Sequence, residues 1–306
     1  MTILRFASIV LIAGSLAACS SLASFDTTGS ISTAAPPAPN GHVYIFRGIG
    51  GRVASLDLDE LGEKVNRTGV TASVLNFTEW RTPAEEAVKR YERDPRPAPI
   101  VLIGHSAGGD AALSFAYRLK EAGIPVSLVV TFDPTRRAGE VPSNVERYVN
   151  IYQSTNFFGG GDVKAAADFR GHFATVNLKR YWNVLHVNML KIDGLQDRVL
   201  DKIAQVTAMP PPLEGPATPI QYVMPRDLPI EIFDSGLPVV VERGEGLKSL
   251  SAKYAVPVWA IAAANNIADN AVLRSGQKLV IPRHLEAPMP PSLTSLAPSL
   301  DADVRQ

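Results

Sequence analysis

Short apolar runs alternate with stretches of helical periodicity through the middle of the chain. Val43-Tyr44-Ile45-Phe46, Ala72-Ser73-Val74-Leu75-Asn76-Phe77, Pro99-Ile100-Val101-Leu102-Ile103, Ser127-Leu128-Val129-Val130-Thr131-Phe132 and Tyr148-Val149-Asn150-Ile151-Tyr152 have the length and the β-branched and aromatic content of strands. Between them, one helical stretch begins at Leu56-Asp57-Leu58-Asp59-Glu60-Leu61, and another covers 83–93 with Pro83 near its start. A third, over 110–120, carries Ala111, Leu113, Ala116, Tyr117 and Leu119 and stops near Gly123. A closing helix is predicted over 196–206. Apolar strands separated by helices require a mostly parallel sheet covered on both faces. The predicted class for residues 41–208 is therefore α/β.

This pattern breaks in three places. Residues 20–40 are rich in Ser, Thr, Ala and Pro and cannot bury a core, so they read as a flexible tether. Residues 209–237 carry Pro210-Pro211-Pro212, Pro216, Pro219, Pro225 and Pro229 and read as a semi-extended linker. The end, 284–306, reads as a disordered tail. Between linker and tail, residues 238–283 read strand, helix, helix, strand: a small βααβ module with valines at 239–241 and a second apolar strand at Leu279-Val280-Ile281.

The chain has 306 residues, 46% hydrophobic and 20% charged, with a formal net charge of zero. That length accommodates one mid-sized domain and a small one, and the balanced charge argues against nucleic acid as a partner. The first 19 residues combine Arg5, the apolar run Ile9-Val10-Leu11-Ile12-Ala13 and small residues, a pattern too short to span a membrane and expected of a secretory signal. Leu16-Ala17-Ala18-Cys19 resembles the lipobox of bacterial lipoproteins, which implies that Cys19 is lipidated. Ser20 rather than Asp after it implies the outer membrane, facing the periplasm. Cys19 is the single cysteine and the five histidines are scattered, so neither a metal set nor a cofactor is indicated.

Gly104-His105-Ser106-Ala107-Gly108 stands between the third predicted strand and the third predicted helix. Strand, tight Gly-x-Ser-x-Gly turn and helix is the setting of a nucleophile elbow. With the order of elements, this resembles the α/β-hydrolase superfamily over about 165 residues, beginning at the superfamily's third strand and without a large lid. A serine nucleophile needs a base within reach. The superfamily's order of serine, acid and histidine leaves His186 and His172 as candidates, with His186 preferred in Asn183-Val184-Leu185-His186-Val187-Asn188. The superfamily's usual placement of the acid implies Asp162 in Gly159-Gly160-Gly161-Asp162, whereas Phe132-Asp133-Pro134 resembles the lipase-like variant with the acid one strand earlier, and Asp133 is preferred. The oxyanion donors implied are the N–H of Ala107 and that of Ile49 or Gly50 in Gly48-Ile49-Gly50-Gly51. His105 is expected to point away from the serine.

The C-terminal module resembles the LysM family in Val239-Val240-Val241-Glu242-Arg243-Gly244-Glu245-Gly246-Leu247 and in Leu273-Arg274-Ser275-Gly276-Gln277-Lys278-Leu279-Val280-Ile281-Pro282. That resemblance implies binding of N-acetylglucosamine polymers, chiefly peptidoglycan, by Gly244, Glu245, Gly246 and Leu247 and by Ile267, Ala268, Asp269 and Asn270, onward to Val272. Gly244-Glu245-Gly246 departs from the family's Gly-Asp-Thr and removes a hydroxyl cap from the first helix. Together the resemblances imply an envelope-anchored serine hydrolase on ester or thioester-like bonds, held at the cell wall. The alternative is a non-catalytic lipoprotein that tethers outer membrane to wall.

Overall fold

Seven strands form one parallel sheet: β1 (His42–Arg47), β2 (Thr71–Asn76), β3 (Ile100–His105), β4 (Leu128–Phe132), β5 (Arg147–Tyr152), β6 (His172–Asn177) and β7 (Ile220–Val223). Their spatial order is β2-β1-β3-β4-β5-β6-β7. In the computed structural model of the protein the described residues are 40–51, 56–94, 96–157, 160–208 and 217–285. All of them belong to one compact unit, Pro37–Gln306. The expected signal peptide with Cys19, the tether up to residue 39, residues 209–216 of the expected linker and the tail from 286 lie outside the described residues.

Alternation along each strand divides the core in two. Val43 and Ile45 of β1 and Val101 and Ile103 of β3 face one cluster. Tyr44, Phe46, Ile100 and Leu102 face the other. Two helices cover the first face: α1 (Leu56–Arg67), through Leu58, Leu61 and Val65, and α4 (Leu195–Ala208), through Val199, Ile203 and Val206. The second face is covered by α2 (Arg81–Arg93), through Ala84, Ala87 and Val88, and by α3 (Ala107–Glu121), through Ala111, Ala112, Phe115 and Leu119. The chain runs from β1 outward to β2, then crosses back to β3 on the other side of β1. That reversal opens a crevice beyond the carboxyl ends of β1 and β3, where open α/β sheets place their sites.

β8 (Ser235–Val240) and β9 (Lys278–Arg283) pair antiparallel, with α5 (Leu247–Tyr254) and α6 (Val258–Ala264) between them. This is the expected βααβ module, but the expected linker before it is not a spacer. Ile220–Val223 is the seventh strand of the main sheet, and Tyr222, Met224, Ile230, Ile232 and Phe233 are buried. Composition misled because the prolines sit at the ends of this strand while the residues between them alternate inward. Residues 284 and 285 likewise belong to the fold rather than to a tail. His284 pairs with Glu231 at 2.7 Å, and the Leu285 N–H donates to Asp234 at 2.7 Å.

The module and the sheet share one core. Leu250, Ala260, Ile261 and Ile281 are in the same cluster as Val43, Val101 and Val176. Trp259 of α6 stands 6.3 Å from the rings of both Tyr222 and Phe233. Thr218 and Gly236 bridge antiparallel, and Gly236 admits no side chain, since a Cβ would stand 2.0 Å from Val280 Cγ1. Asp234, fully buried, accepts from Lys202 at 2.6 Å with Arg147 at 3.9 Å.

Candidate active site

The Gly-x-Ser-x-Gly turn is shaped by what its glycines must avoid. A Cβ at Gly104 would stand 2.0 Å from the Gly108 carbonyl oxygen, and one at Gly108 would stand 2.0 Å from that of Phe46. With both absent, α3 starts directly over β1 and β3. Ser106 is driven to φ 56° and ψ −128°, a conformation that costs a non-glycine residue on the order of 1–3 kcal/mol. The turn is held by Ser106 N–H donating to Phe132 O at 2.9 Å and Gly109 N–H donating to Ser106 O at 2.8 Å. Such strain lifts the hydroxyl to the carboxyl edge of the sheet, at the N-terminus of α3.

Asp133 follows β4 at the same edge, with φ 46° and no exposure. Four donors surround its carboxylate. Oδ1 receives Gly160 N–H at 2.7 Å and Gln153 N–H at 3.2 Å. Oδ2 receives Asn156 Nδ2 at 2.6 Å and His186 Nδ1 at 2.7 Å. A buried carboxylate satisfied on every side has one orientation, and it fixes the imidazole in turn. With Nδ1–H donating to Asp133, Nε2 is the nitrogen left to accept a proton. No hydrogen bond joins Ser106 Oγ to the His186 ring among those of the described residues. Such contacts are often long in unliganded sites and tighten with substrate.

The two alternatives stand elsewhere. His172 is the first residue of β6, at the edge of the sheet opposite Ser106, buried with Nδ1 at 2.8 Å from Ser235 Oγ. Burial, with Arg283 and Arg147 nearby, lowers it to about 4. Asp162 is exposed. The glycines before it matter more. Gly160 supplies an N–H to Asp133, and a Cβ at Gly161 would stand 2.6 Å from Thr135 O.

The His105 ring packs against the loop that carries His186. Its Nε2–H donates to the His186 carbonyl at 2.7 Å, and the two rings lie 4.6 Å apart. Burial above all, then the His186 ring, lowers His105 to about 4, so it is a neutral donor that anchors the histidine loop. Neither this tie nor Asn156 and Gln153 was legible in the sequence, because each links residues 20 or more positions apart.

Ala107 opens α3, so its N–H is one of the free donors of a helix N-terminus beside Ser106. In the loop after β1, the residue packed on the nucleophile is Gly48. A Cβ there would stand 2.7 Å from Ser106 Cβ and 3.3 Å from Oγ. Ile49 and Gly50 follow it in an exposed turn closed by Gly51 N–H donating to Gly48 O at 3.1 Å.

In the βααβ module, Gly244, Ala268, Asp269, Asn270 and Val272 are exposed, while Glu245, Gly246 and Ile267 are half-buried. Leu247 is a core residue and offers no contact surface to a ligand. No side chain caps the first N–H groups of α5, and the bonds at this end run to Gly246 itself. Ser249 Oγ accepts from Gly246 N–H at 2.8 Å and donates to Gly246 O at 2.9 Å. Glu245 accepts from Glu242 N–H at 2.8 Å and pairs with Lys253 at 3.0 Å, so it closes the turn that leads into the helix.

Residues 239–282 match the family model of the LysM domain. The match begins within β8 and ends within β9, so the LysM domain is the whole βααβ unit. Among solved structures, the chain is similar to a hydrolase assigned to the α/β superfamily from Xanthomonas campestris pv. campestris. That similarity has 16% identity and a TM-score of 0.34, and covers 54% of this chain and 97% of that one. It is also similar to Est1E from Butyrivibrio proteoclasticus, at 13% identity and a TM-score of 0.36, covering 55% and 90%. No curated protein matches the chain. The α/β class rests on the strand order and crossovers of the chain itself. The LysM domain is built onto that sheet, not hung from it.

Proposed function

We propose that the protein is a serine hydrolase of ester-type bonds, kept at the cell wall by its LysM domain and at the envelope by a lipid on Cys19. One observation carries the catalytic part: a serine at a strained strand-to-helix turn shares a sheet edge with a histidine whose Nδ1–H is held by a fully buried aspartate. In this reading Ser106 Oγ attacks the ester carbonyl carbon while His186 Nε2 takes its proton. Asp133 orients the imidazole and stabilises its charged form. Ala107 N–H, and an N–H of the 48–50 turn, hold the oxyanion. Collapse breaks the C–O bond of the leaving alcohol, which takes the proton from His186. Water, deprotonated by the same nitrogen, then releases the acid and restores Ser106.

The missing Ser106–His186 hydrogen bond is what favours the second reading, a wall-binding tether with an inactive hydrolase-like scaffold. Hydrolysis of p-nitrophenyl acetate by the full chain in detergent, against Ser106→Ala, separates the two. The proposal expects turnover by the wild type and at least a hundredfold loss in the variant. Equal, background-level rates with both proteins folded would support the tether. Retention on insoluble peptidoglycan, lost in a variant whose 244–246 and 268–270 loops are replaced by unrelated residues, tests the LysM part.

A further inference from the structure

Large apolar side chains left exposed in the sheet domain are not scattered. Ile49, Leu56, Phe157, Trp182, Leu185, Val187 and Leu228 are exposed, and every one lies beyond the carboxyl end of a strand or at the start of the helix that follows. Tyr117 on α3 is the one exception in that domain among the described residues. A parallel sheet brings all such loops to one edge, the edge that carries Ser106, Asp133 and His186. Ile49 is 72% exposed and follows Gly48, which packs on Ser106. Leu185 and Val187, at 57% and 56%, flank His186 on both sides. Phe157 is 86% exposed and follows Asn156, which holds Asp133. Exposed apolar side chains gathered at one edge around polar groups mark a binding site.

Polar alternatives for this surface have a separate place. Asn183, Val184 and Asn188 of the histidine loop line a cavity of about 570 Å³ together with Lys191, Asp193, Arg198 and Arg226. Leu185 and Val187 do not line it. The loop therefore puts two neutral amides, Asn183 and Asn188, towards that polar cavity and bare aliphatic side chains at its centre, beside the imidazole. A sugar or peptide substrate would be served by the reverse arrangement.

From this placement we infer that the site acts on esters of medium to long acyl chains. The chain lies along the rim formed by Ile49, Phe157, Leu185 and Val187 while the carbonyl carbon meets Ser106. This rests on the reading of Ser106 as a nucleophile. A fully buried methylene contributes roughly fourfold to binding, and one covered on a single side about half of that. Six methylenes at about twofold each allow up to about sixtyfold, so lengthening a chain from two to eight carbons should raise the rate of attack by at least tenfold.

The test is the rate at which Ser106 is modified by alkyl fluorophosphonates, ethyl against octyl, each below its aggregation limit. The Ser106 Oγ–P bond forms, the P–F bond breaks, fluoride leaves, and the serine proton passes through His186 to solvent. The wild type should react at least tenfold faster with the octyl probe. A Leu185→Ser, Val187→Ser double variant should lose at least threefold in the octyl-to-ethyl ratio. Ile49→Ser, on a separate loop, should also lose part of it, so the inference stays testable if the double variant does not fold. Labelling of the wild type with a ratio near one, or variants that keep the wild-type ratio, would overturn the rim and leave the nucleophile standing. No labelling by either probe would overturn both.

Discussion

Asp234 is the residue whose loss should reveal most about how the two modules are joined. Its carboxylate has no exposure, and Lys202 and Arg147 beside it are almost as deeply buried. Burial alone would raise its pKa, but Lys202 and Arg147, with the donations from Lys202 and the Leu285 N–H, hold it below the ordinary value. Asp234→Ala would leave two buried cations without the carboxylate they share and free the Leu285 N–H. Removing one partner from a buried ion pair costs about 3–5 kcal/mol. For a cooperative unit of this size, about 2–4 °C of Tm is lost per kcal/mol, so the midpoint should fall by roughly 10 °C. Thermal unfolding followed by circular dichroism and by Trp fluorescence measures it. Because LysM and sheet share a core, wild type and variant should each melt in one transition with coincident probes. A shift under about 3 °C, or separate melting of the LysM domain, would refute a junction closed by Asp234.

Three further expectations follow from named contacts. His105 and His172 are both lowered to about 4 by burial, whereas an unfolded histidine titrates near 6.5. Unfolding therefore takes up protons between about pH 6.5 and 4, and stability falls as pH falls through that window, by up to about 3 kcal/mol for each histidine. Urea midpoints at pH 7, 5.5 and 4.5 measure the slope, and His172→Gln should flatten part of it; an unchanged slope would contradict this. Gly48→Ala puts a methyl 2.7 Å from Ser106 Cβ and 2.9 Å from His105 O, and should abolish ester turnover while the far-ultraviolet spectrum stays that of the wild type. Ser249→Ala removes both hydrogen bonds between Ser249 Oγ and the Gly246 backbone and should cost about 1 kcal/mol, read as a drop of a few degrees in Tm.

The sheet was legible where strands are apolar on both faces, as β1, β3 and β4 are. β6 was not. His172, Thr175 and Asn177 are buried polar residues, so Gly171-His172-Phe173-Ala174-Thr175-Val176-Asn177 lacks an apolar signature. β7 was hidden by its flanking prolines, and with it the fact that the LysM domain is fused to the sheet edge. At the site, Ser106 could be found because its chemistry is written in a local turn. Asp133 and His186 could be nominated from chain order alone, whereas the shell that fixes them could not. Gly160, Asn156, Gln153 and His105 act through contacts spanning 20 to 81 residues, and a single sequence carries no signal for those.

The central claim is that the buried Asp133 and the His186 it holds make Ser106 a nucleophile. Intact-mass measurement of ethyl fluorophosphonate labelling, comparing wild type, His186→Ala and Asp133→Asn at matched fold content, tests it most directly. The account predicts one adduct on Ser106 in the wild type and rates lower by on the order of 10³-fold in both variants. Labelling of Asp133→Asn at the wild-type rate, or an adduct on any other residue, would contradict it.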